Sequence, residues 1–337
     1  MNKKFRPLLL NLGILLAAIL LSIAIGSVSI PIKTTFQVLF QPASTTTDSA
    51  SFATIIRDLR IPRTLLMMLA GAALSISGCA YQGLFRNPLA DPYLIGSASG
   101  AGLGAILAIT IQWPANLGGF LTVPMAAFVG ASLTVLLVFF IARAGRSAPV
   151  TTLILAGVAV SSFATALTSF LLIHSSGELR RAIVWLAGGS TLSGWLPVAG
   201  ALPYILIGSV TLLSMGHALN VMQFGDEQAQ QLGLRVTRFR TIIILAATLS
   251  TAAAVAFTGI IGFVGLVVPH IMRNLWGADY RRLLPLTLIG GAAFLLLADV
   301  LSRILLAPQE IPVGIVTALS GAPFFLFILK RTKQSNW

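Results

Sequence analysis

The sequence predicts an all-α polytopic membrane protein of about ten transmembrane helices, with cytoplasmic N- and C-termini, and three observations predict it. Of its 337 residues 56% fall in the set AVILMFWYC and only 9% are charged, where a soluble domain carries about a quarter. A globule of this size cannot hide so much apolar surface from water, whereas a bilayer demands it. The apolar residues gather into ten runs, each near the ~20 residues that a helical crossing takes. The 22 basic residues sort unevenly between the loops that these runs define.

The first run, Leu8 to Ile30, follows Lys3, Lys4 and Arg6. As a helix it rises about 34 Å, longer than the apolar stretch of a signal peptide, and it reads as an uncleaved first span. A small-x-small site at Ser27 to Ser29 leaves cleavage as the alternative. The next spans are Thr64 to Tyr81, Tyr93 to Ile111, Leu117 to Ala142 and Thr151 to Ile173. The second half supplies Leu196 to Met215, Thr241 to Phe257, Ile260 to Leu275, Leu283 to Leu306 and Ile311 to Leu329. Ile260 to Leu275 is short and carries Gly262, Gly265 and Pro269, so a broken or partly re-entrant helix is expected there. GAALSISG (Gly71 to Gly78) and SASGAGLGA (Ser97 to Ala105) place small residues at three- and four-residue spacing, which lets backbones approach closely inside a bundle. Ten crossings use roughly 200 residues. Residues 1–337 therefore form one transmembrane domain, with no room for a separate soluble catalytic domain.

With the N-terminus inside, seven basic residues fall outside: Lys33, Arg57, Arg60, Arg63, Arg180, Arg181 and Arg303. The other 15 fall inside, the asymmetry expected of cytoplasmic loops. The same asymmetry accounts for the formal charge of +13 without nucleic acid, as basic residues suit anionic lipid. Arg57, Arg60 and Arg63 lie close together at a span entrance, and Arg60 and Arg63, at i and i+3, share a helix face. External arginines so concentrated invite an acidic partner; an anchor on lipid phosphate is the alternative.

Several chemistries are absent. Cys79 is the only cysteine, so there is no internal disulfide, redox pair or thiolate cluster. No lysine follows a glycine, so the phosphate-cradling loop of an ATPase is missing and any ATP motor must be a separate subunit. Neither HExxH nor GxSxG occurs, and His174, His217 and His270 lie far apart, so the chain shows no metal set, no cofactor site and no enzyme signature. Asp299 and Arg303 stand four apart near the outer end of the ninth span, and a mutually neutralising pair accounts for them; an ion-coupled carrier would use such a group otherwise. In the loop GDEQAQQLGLRVTRFR, Gly225 to Arg240, Asp226 and Glu227 would start a short helix and Gly233 would end it. Composition leaves that loop open between a solvated linker and the contact for a motor subunit.

LRIPRTLLMMLAGAALSISGCAYQGLFRNPLADPYLIGSASGAGLG, Leu59 to Gly104, resembles the FecCD-type permeases of bacterial ABC importers for iron-siderophore, haem and cobalamin. GIIGFVGLVVPHIMRNLWGADYRRLLPLTLIGGAAFLLLADVLSR, Gly259 to Arg303, and EIPVGIVTALSGAPFFLFIL, Glu310 to Leu329, resemble them too, in matching order and spacing. RNPLADP, Arg86 to Pro92, is the most specific of the motifs.

The resemblance implies a permease that passes a metal chelate across the bacterial plasma (inner) membrane, most often a ferric siderophore, with haem or cobalamin as the alternative cargo. It implies a second permease copy or paralogue, two ATP-binding subunits on the cytoplasmic side, and a periplasmic or lipid-anchored substrate-binding protein outside. It makes Asp226, Glu227, Gln228, Ala229, Gln230, Gln231, Leu232, Gly233 and Leu234 the segment coupled to the ATPase. It makes Arg60, Arg63 and Arg303 the partners of acidic residues on the binding protein, and gives Arg57 no such role. Arg86, Asn87, Pro88, Pro269 and His270 are motif positions with structural or gating roles. The low-complexity insert ASTTTDSAS, Ala43 to Ser51, is read as specific to this chain and is expected to be a flexible external loop. Two rival readings stay open: an ion-coupled secondary carrier, and a membrane-embedded receptor that docks a binding protein without moving cargo.

Overall fold

The computed structural model describes residues 6–26, 28, 30, 31, 35, 38, 47–111, 121–142, 150–174, 177–189 and 192–334. The described residues are predominantly helical: α1 Arg6–Ala24, α2 Thr47–Thr54, a π-helical stretch Ile55–Arg60, α3 Ile61–Leu84, α4 Ser97–Thr110, α5 Thr122–Ala142 and α6 Val150–His174. They continue with α7 Leu179–Leu186, α8 Trp195–Ser214, α9 Gly216–Met222, α10 Asp226–Gln231, α11 Val236–Thr258, α12 Val264–Trp276, α13 Tyr280–Ile304 and α14 Val313–Gln334. Lys3, Lys4, Lys33, Arg143, Arg146, the site at Ser27 to Ser29 and residues 43–46 of the insert lie outside the described residues.

Each of the ten expected spans meets a helix. Among the described residues seven helices are long and apolar enough to cross a bilayer: α1, the continuous helix Ser51–Leu84, α5, α6, α8, α11 and α13. The remaining expected spans meet two shorter apolar helices, α4 and residues Val313–Phe327 of α14, and the short α12. At 13 residues α12 rises only about 20 Å, less than the ~30 Å hydrocarbon core. The non-helical stretch Gly259–Phe263 precedes it, which is the break expected from Gly262 and Gly265. Phe263 there takes φ 69°, a left-handed conformation that a bulky residue rarely adopts. Gly321 makes room for it, since a Cβ at 321 would stand 2.5 Å from the Phe263 Cβ.

Two expectations are corrected. The insert is not a loop throughout: Thr47 to Ser51 belong to α2, which runs through the π-helical stretch into α3 as one rod. Apolar Phe52, Ile55 and Ile56 at the junction pack with Ile23, Ile30 and Val38, which holds the extension to the bundle. The first helix ends at Ala24 rather than Ile30, because two arginines take its last carbonyls.

The centre of the bundle is α3, α11 and α13, whose apolar windows are mostly buried, while α1 and α6 are mostly exposed. Small residues explain the division. A Cβ at Gly71 would stand 2.3 Å from the Gly291 carbonyl oxygen, and one at Gly78 would stand 2.0 Å from that of Gly265. So α3 touches α13 and α12 backbone to backbone, the close contact that helix association in lipid depends on. Similar contacts join Gly100 to Gly130, and Gly208 to Ala246. The outer helices instead present Leu16, Leu133, Phe140, Leu155 and Phe163.

Candidate functional site

Residues expected outside meet one another at one end of the bundle. Arg60 is 5% exposed; its Nη1 donates to the carbonyl oxygens of Ile23 at 2.9 Å and Ala24 at 2.8 Å, and its Nη2 donates to that of Val28. Arg303 is 3% exposed; its Nη1 donates to the carbonyls of Ser22 at 3.1 Å and Ile25 at 3.0 Å, and its Nη2 to Ser22 Oγ at 3.0 Å. A helix end leaves carbonyls without partners and a partial negative charge, and two guanidinium groups answer both needs for α1. Arg57 Nη2 reaches the carbonyl of Val38 at 2.8 Å.

Asp299 is fully buried between two of these cations. Its Oδ2 lies 3.0 Å from Arg303 Nη2, and its Oδ1 accepts from Arg63 Nε at 3.0 Å and lies 2.9 Å from Nη2. Arg63 Nη1 donates to Glu310 Oε2 at 2.6 Å, with the two side chains 32% and 36% exposed. The three arginines, which the family resemblance makes partners of a binding protein, therefore differ in how far they face solvent. Arg60 and Arg303 are turned inward by the carbonyls of α1, and Arg63 is the member of the three that meets solvent. Beside them opens a cavity of about 540 Å³, whose lining includes Arg60, Arg63, Arg303, Glu310, Leu66, Met67, Gly188 and Pro312.

One wall of that cavity is backbone. A Cβ at Gly188 would stand 2.7 Å from the Ile260 carbonyl oxygen, one at Gly314 2.4 Å from that of Ala187, and one at Gly259 2.4 Å from that of Trp185. The turn after α7, the break before α12 and the start of α14 are thus knotted through three glycines. The break is pinned from its other side by Tyr93, whose hydroxyl donates to the Ile261 carbonyl at 2.8 Å and accepts from the Ile261 N–H at 3.3 Å. Both backbone groups of a non-helical residue within the bundle are thereby satisfied, as irregular backbone at membrane depth requires.

Residues expected inside gather at the opposite end. Gly225, at φ 104°, precedes α10, and Asp226 and Glu227 occupy its first turn. The Gly233 N–H donates to Gln230 O at 2.9 Å and the Leu234 N–H to Ala229 O at 3.0 Å. With Gly233 at φ 84°, this is a Schellman ending. Ala229 is buried, while Glu227, Gln228, Gln230, Gln231, Leu232 and Gly233 face outward. Phe224 and Leu232 are large apolar residues in the open, 66% and 67% exposed. Asp226 is held by Arg240 of α11, Oδ2 to Nη2 at 2.6 Å.

This segment is tied to the bundle through α9. Gln223 Nε2 donates to the Gly83 carbonyl of α3 at 2.9 Å. Asn220 Nδ2 donates to Asp279 Oδ1 at 2.7 Å, and Asn220 Oδ1 accepts from the Tyr280 N–H at 2.9 Å. The Asn220 amide and the Arg281 backbone N–H hold the Asp279 carboxyl below the usual carboxylate range, so it remains a charged cap for α13 at neutral pH.

The motif residues lie alongside. Arg86 is exposed at φ 50°, with its guanidinium near Gly225. Asn87 Oδ1 accepts from the Leu89 N–H at 2.9 Å, Pro88 is exposed, and Pro269 is buried in α12. His270 lies within α12, its Nε2 2.9 Å from Asn274 Nδ2. Sequence reasoning passed over Ser22, Gln82, Tyr93, Arg273 and Glu310. Arg273 Nη2 donates to Gln82 Oε1 at 2.9 Å, linking α12 to α3. These partners lie far apart along the chain, and no local pattern announces them.

A family model described as the FecCD transport family matches residues 14–331. The cobalamin import system permease protein BtuC of Halobacterium salinarum is 45% identical over 276 residues, 82% of this chain and 73% of that one. The hemin transport system permease protein HmuU of Yersinia pestis is 38% identical over 340 residues, covering 100% and 99% of the two chains. Among solved structures, an inward-facing ABC transporter assigned to the metal-chelate type matches with TM-score 0.82 and 32% identity, over 96% of this chain and 98% of that one.

Proposed function

The chain belongs to the FecCD transport family, and on that premise we propose that it is the permease subunit of an ABC importer for metal chelates, with a ferric siderophore as the cargo and haem or cobalamin as the alternative. Relatives are named for cobalamin and for hemin, so the shared class is a large metal chelate. The permease sits in the bacterial plasma membrane and works with a second permease copy or paralogue, two ATP-binding subunits and an external substrate-binding protein. ATP is hydrolysed by the separate subunits, and the permease does no covalent chemistry.

The observation that carries this reading is that one rod joins the two ends. The helix Ser51–Leu84 carries Arg63 at its outer end and receives Gln223, beside the exposed segment Asp226 to Leu234, at its inner end. Closure of the ATPases on Asp226 to Leu234 displaces that rod, and the outer cavity changes with it, by rigid-body rocking between two states. Arg63 is the contact for an acidic residue of the binding protein, with Arg60 and Arg303 shaping the mouth around it. Exposed Phe224 and Leu232 suit an apolar groove on the ATPase.

The test is ATPase activity and uptake in liposomes that hold the permease and its ATPase, with the binding protein outside. The panel is ferric siderophores, haemin and cobalamin. Uptake of one chelate that needs ATP and the binding protein establishes both the importer and the cargo. Uptake that persists without the ATPase and collapses with an ion gradient would instead establish an ion-coupled carrier. Docking of the binding protein with no uptake of any chelate by an active assembly would favour the receptor.

A further inference from the structure

Glu310 stands apart from the rest of the outer network. Asp299 is fully buried and neutralises two arginines at once, while Arg60 and Arg303 close the end of α1. Removing any of these would leave buried charge or bare carbonyls behind. Glu310 is more than a third exposed, sits on the rim of the outer cavity, and among the described residues forms its ion pair with Arg63 alone. It takes Nη1, the edge of the Arg63 guanidinium that Asp299 leaves unclaimed.

We infer that Glu310 is a resident competitor for the docking arginine: it occupies on Arg63 the place that a carboxylate of the binding protein takes, so that docking is an exchange of one carboxylate for another. This rests on the docking role of Arg63 proposed above. The exchange reaches the cavity wall through the chain itself. Glu310 is followed by Ile311, whose N–H donates to the Ser302 carbonyl at 3.0 Å, then by Pro312 and the start of α14, where Gly314 packs on Ala187 and Ile260. Displaced from Arg63, Glu310 no longer holds that short connection against α3. A partner that docks by exchange also leaves readily, since Glu310 returns as the incoming carboxylate departs; an importer that must take up and release its binding protein each cycle has use for such a pair.

The experiment measures binding of the substrate-binding protein used in the uptake assay, loaded with the chelate that assay identifies, to the assembled transporter in nanodiscs, for wild type, Glu310→Gln, Arg63→Gln and the double variant. Removing a partly exposed ion pair that competes with the partner should tighten docking about two- to five-fold in Glu310→Gln. Arg63→Gln should weaken docking, and in its background Glu310→Gln should have no further effect. Unchanged docking by Glu310→Gln, with Arg63→Gln still weakened, overturns the competitor while leaving Arg63 as the contact. Equal tightening by Glu310→Gln in both backgrounds would show a general loss of negative charge rather than competition, and overturns it too. No weakening by Arg63→Gln would overturn the docking role first, and the inference with it. Both positions are partly exposed, and gel filtration of each variant confirms that the transporter remains assembled.

Discussion

Replacing Asp299 by Asn should be the most damaging single change at the outer end. The carboxylate accepts from Arg63 on one oxygen and pairs with Arg303 on the other, and none of it meets solvent. Asparagine keeps the shape but loses the charge, and one of its two ends becomes an N–H donor facing a guanidinium. Arg303 stays where it is, because the carbonyls of Ser22 and Ile25 hold it, so a buried cation is left without its counter-ion. Breaking a buried pair in this way costs about 3–5 kcal/mol, against about 1 kcal/mol or less for the partly exposed Arg63–Glu310 pair.

The assay is thermal unfolding in detergent, followed by the loss of the monodisperse peak, with Glu310→Gln as the internal reference, since it breaks the partly exposed pair and leaves Asp299 with both arginines. Asp299→Asn should fall well below it, and it should expose the end of α1 to proteolysis. Asp299→Leu combined with Arg303→Met should recover part of the loss, because the unpaired charge is gone. Recovery should stop short of wild type, since Arg303 also closes α1. An Asp299→Asn protein that unfolds with Glu310→Gln would refute the reasoning, because it would mean that Arg303 does not depend on its counter-ion.

Gly78→Ala should destabilise the fold by about 1–3 kcal/mol or more, since the new Cβ meets the carbonyl of Gly265 at 2.0 Å and backbone cannot step aside; thermal unfolding and uptake together check it, and wild-type values in both would be the contrary result. Tyr93→Phe removes the partner of both backbone groups of Ile261. About 1–3 kcal/mol of stability should go with it, read as a lower unfolding temperature and slower uptake. Leu232→Glu places a charge on an exposed apolar residue and should leave the thermal stability of the permease alone while reducing co-purification of the ATPase; full retention of the ATPase would remove Leu232 from that contact.

Much of the fold is legible in the sequence because lipid imposes long apolar runs, and ten of them meet helices. The local signals at Gly225 to Leu234 also hold. Acids at the start of a helix and a glycine in the left-handed region at its end act within a few residues, and they produce α10 with its Schellman ending. Composition misjudges Thr47 to Ser51, which reads as a polar loop and is helical because its neighbours Phe52, Ile55 and Ile56 pack on the bundle. Counting charges places Arg60 and Arg303 at the same end of the molecule, where the structure also brings them together, and says nothing of where the side chains turn. The carbonyls that turn them inward belong to the end of α1 and the residues just after it, 32–37 residues from Arg60 and 278–281 from Arg303. The pairing of Arg63 with Glu310, 247 residues away, is invisible for the same reason.

The wall of the outer cavity at Gly188 and Gly189 bears on resistance. A small molecule seated there would meet glycine backbone on this side and side chains such as Leu66 and Met67 elsewhere in the cavity, and on the glycine side a single substitution is a costly way to alter the contact. Any residue larger than glycine at 188 drives a carbon to 2.7 Å from the Ile260 carbonyl oxygen, and at 189 to 2.7 Å from Val184 Cγ1. Position 188 also needs its φ of 79°. A cell that changed this surface to evade an inhibitor would disturb the packing of three connecting turns, and with it the transporter that it was trying to save.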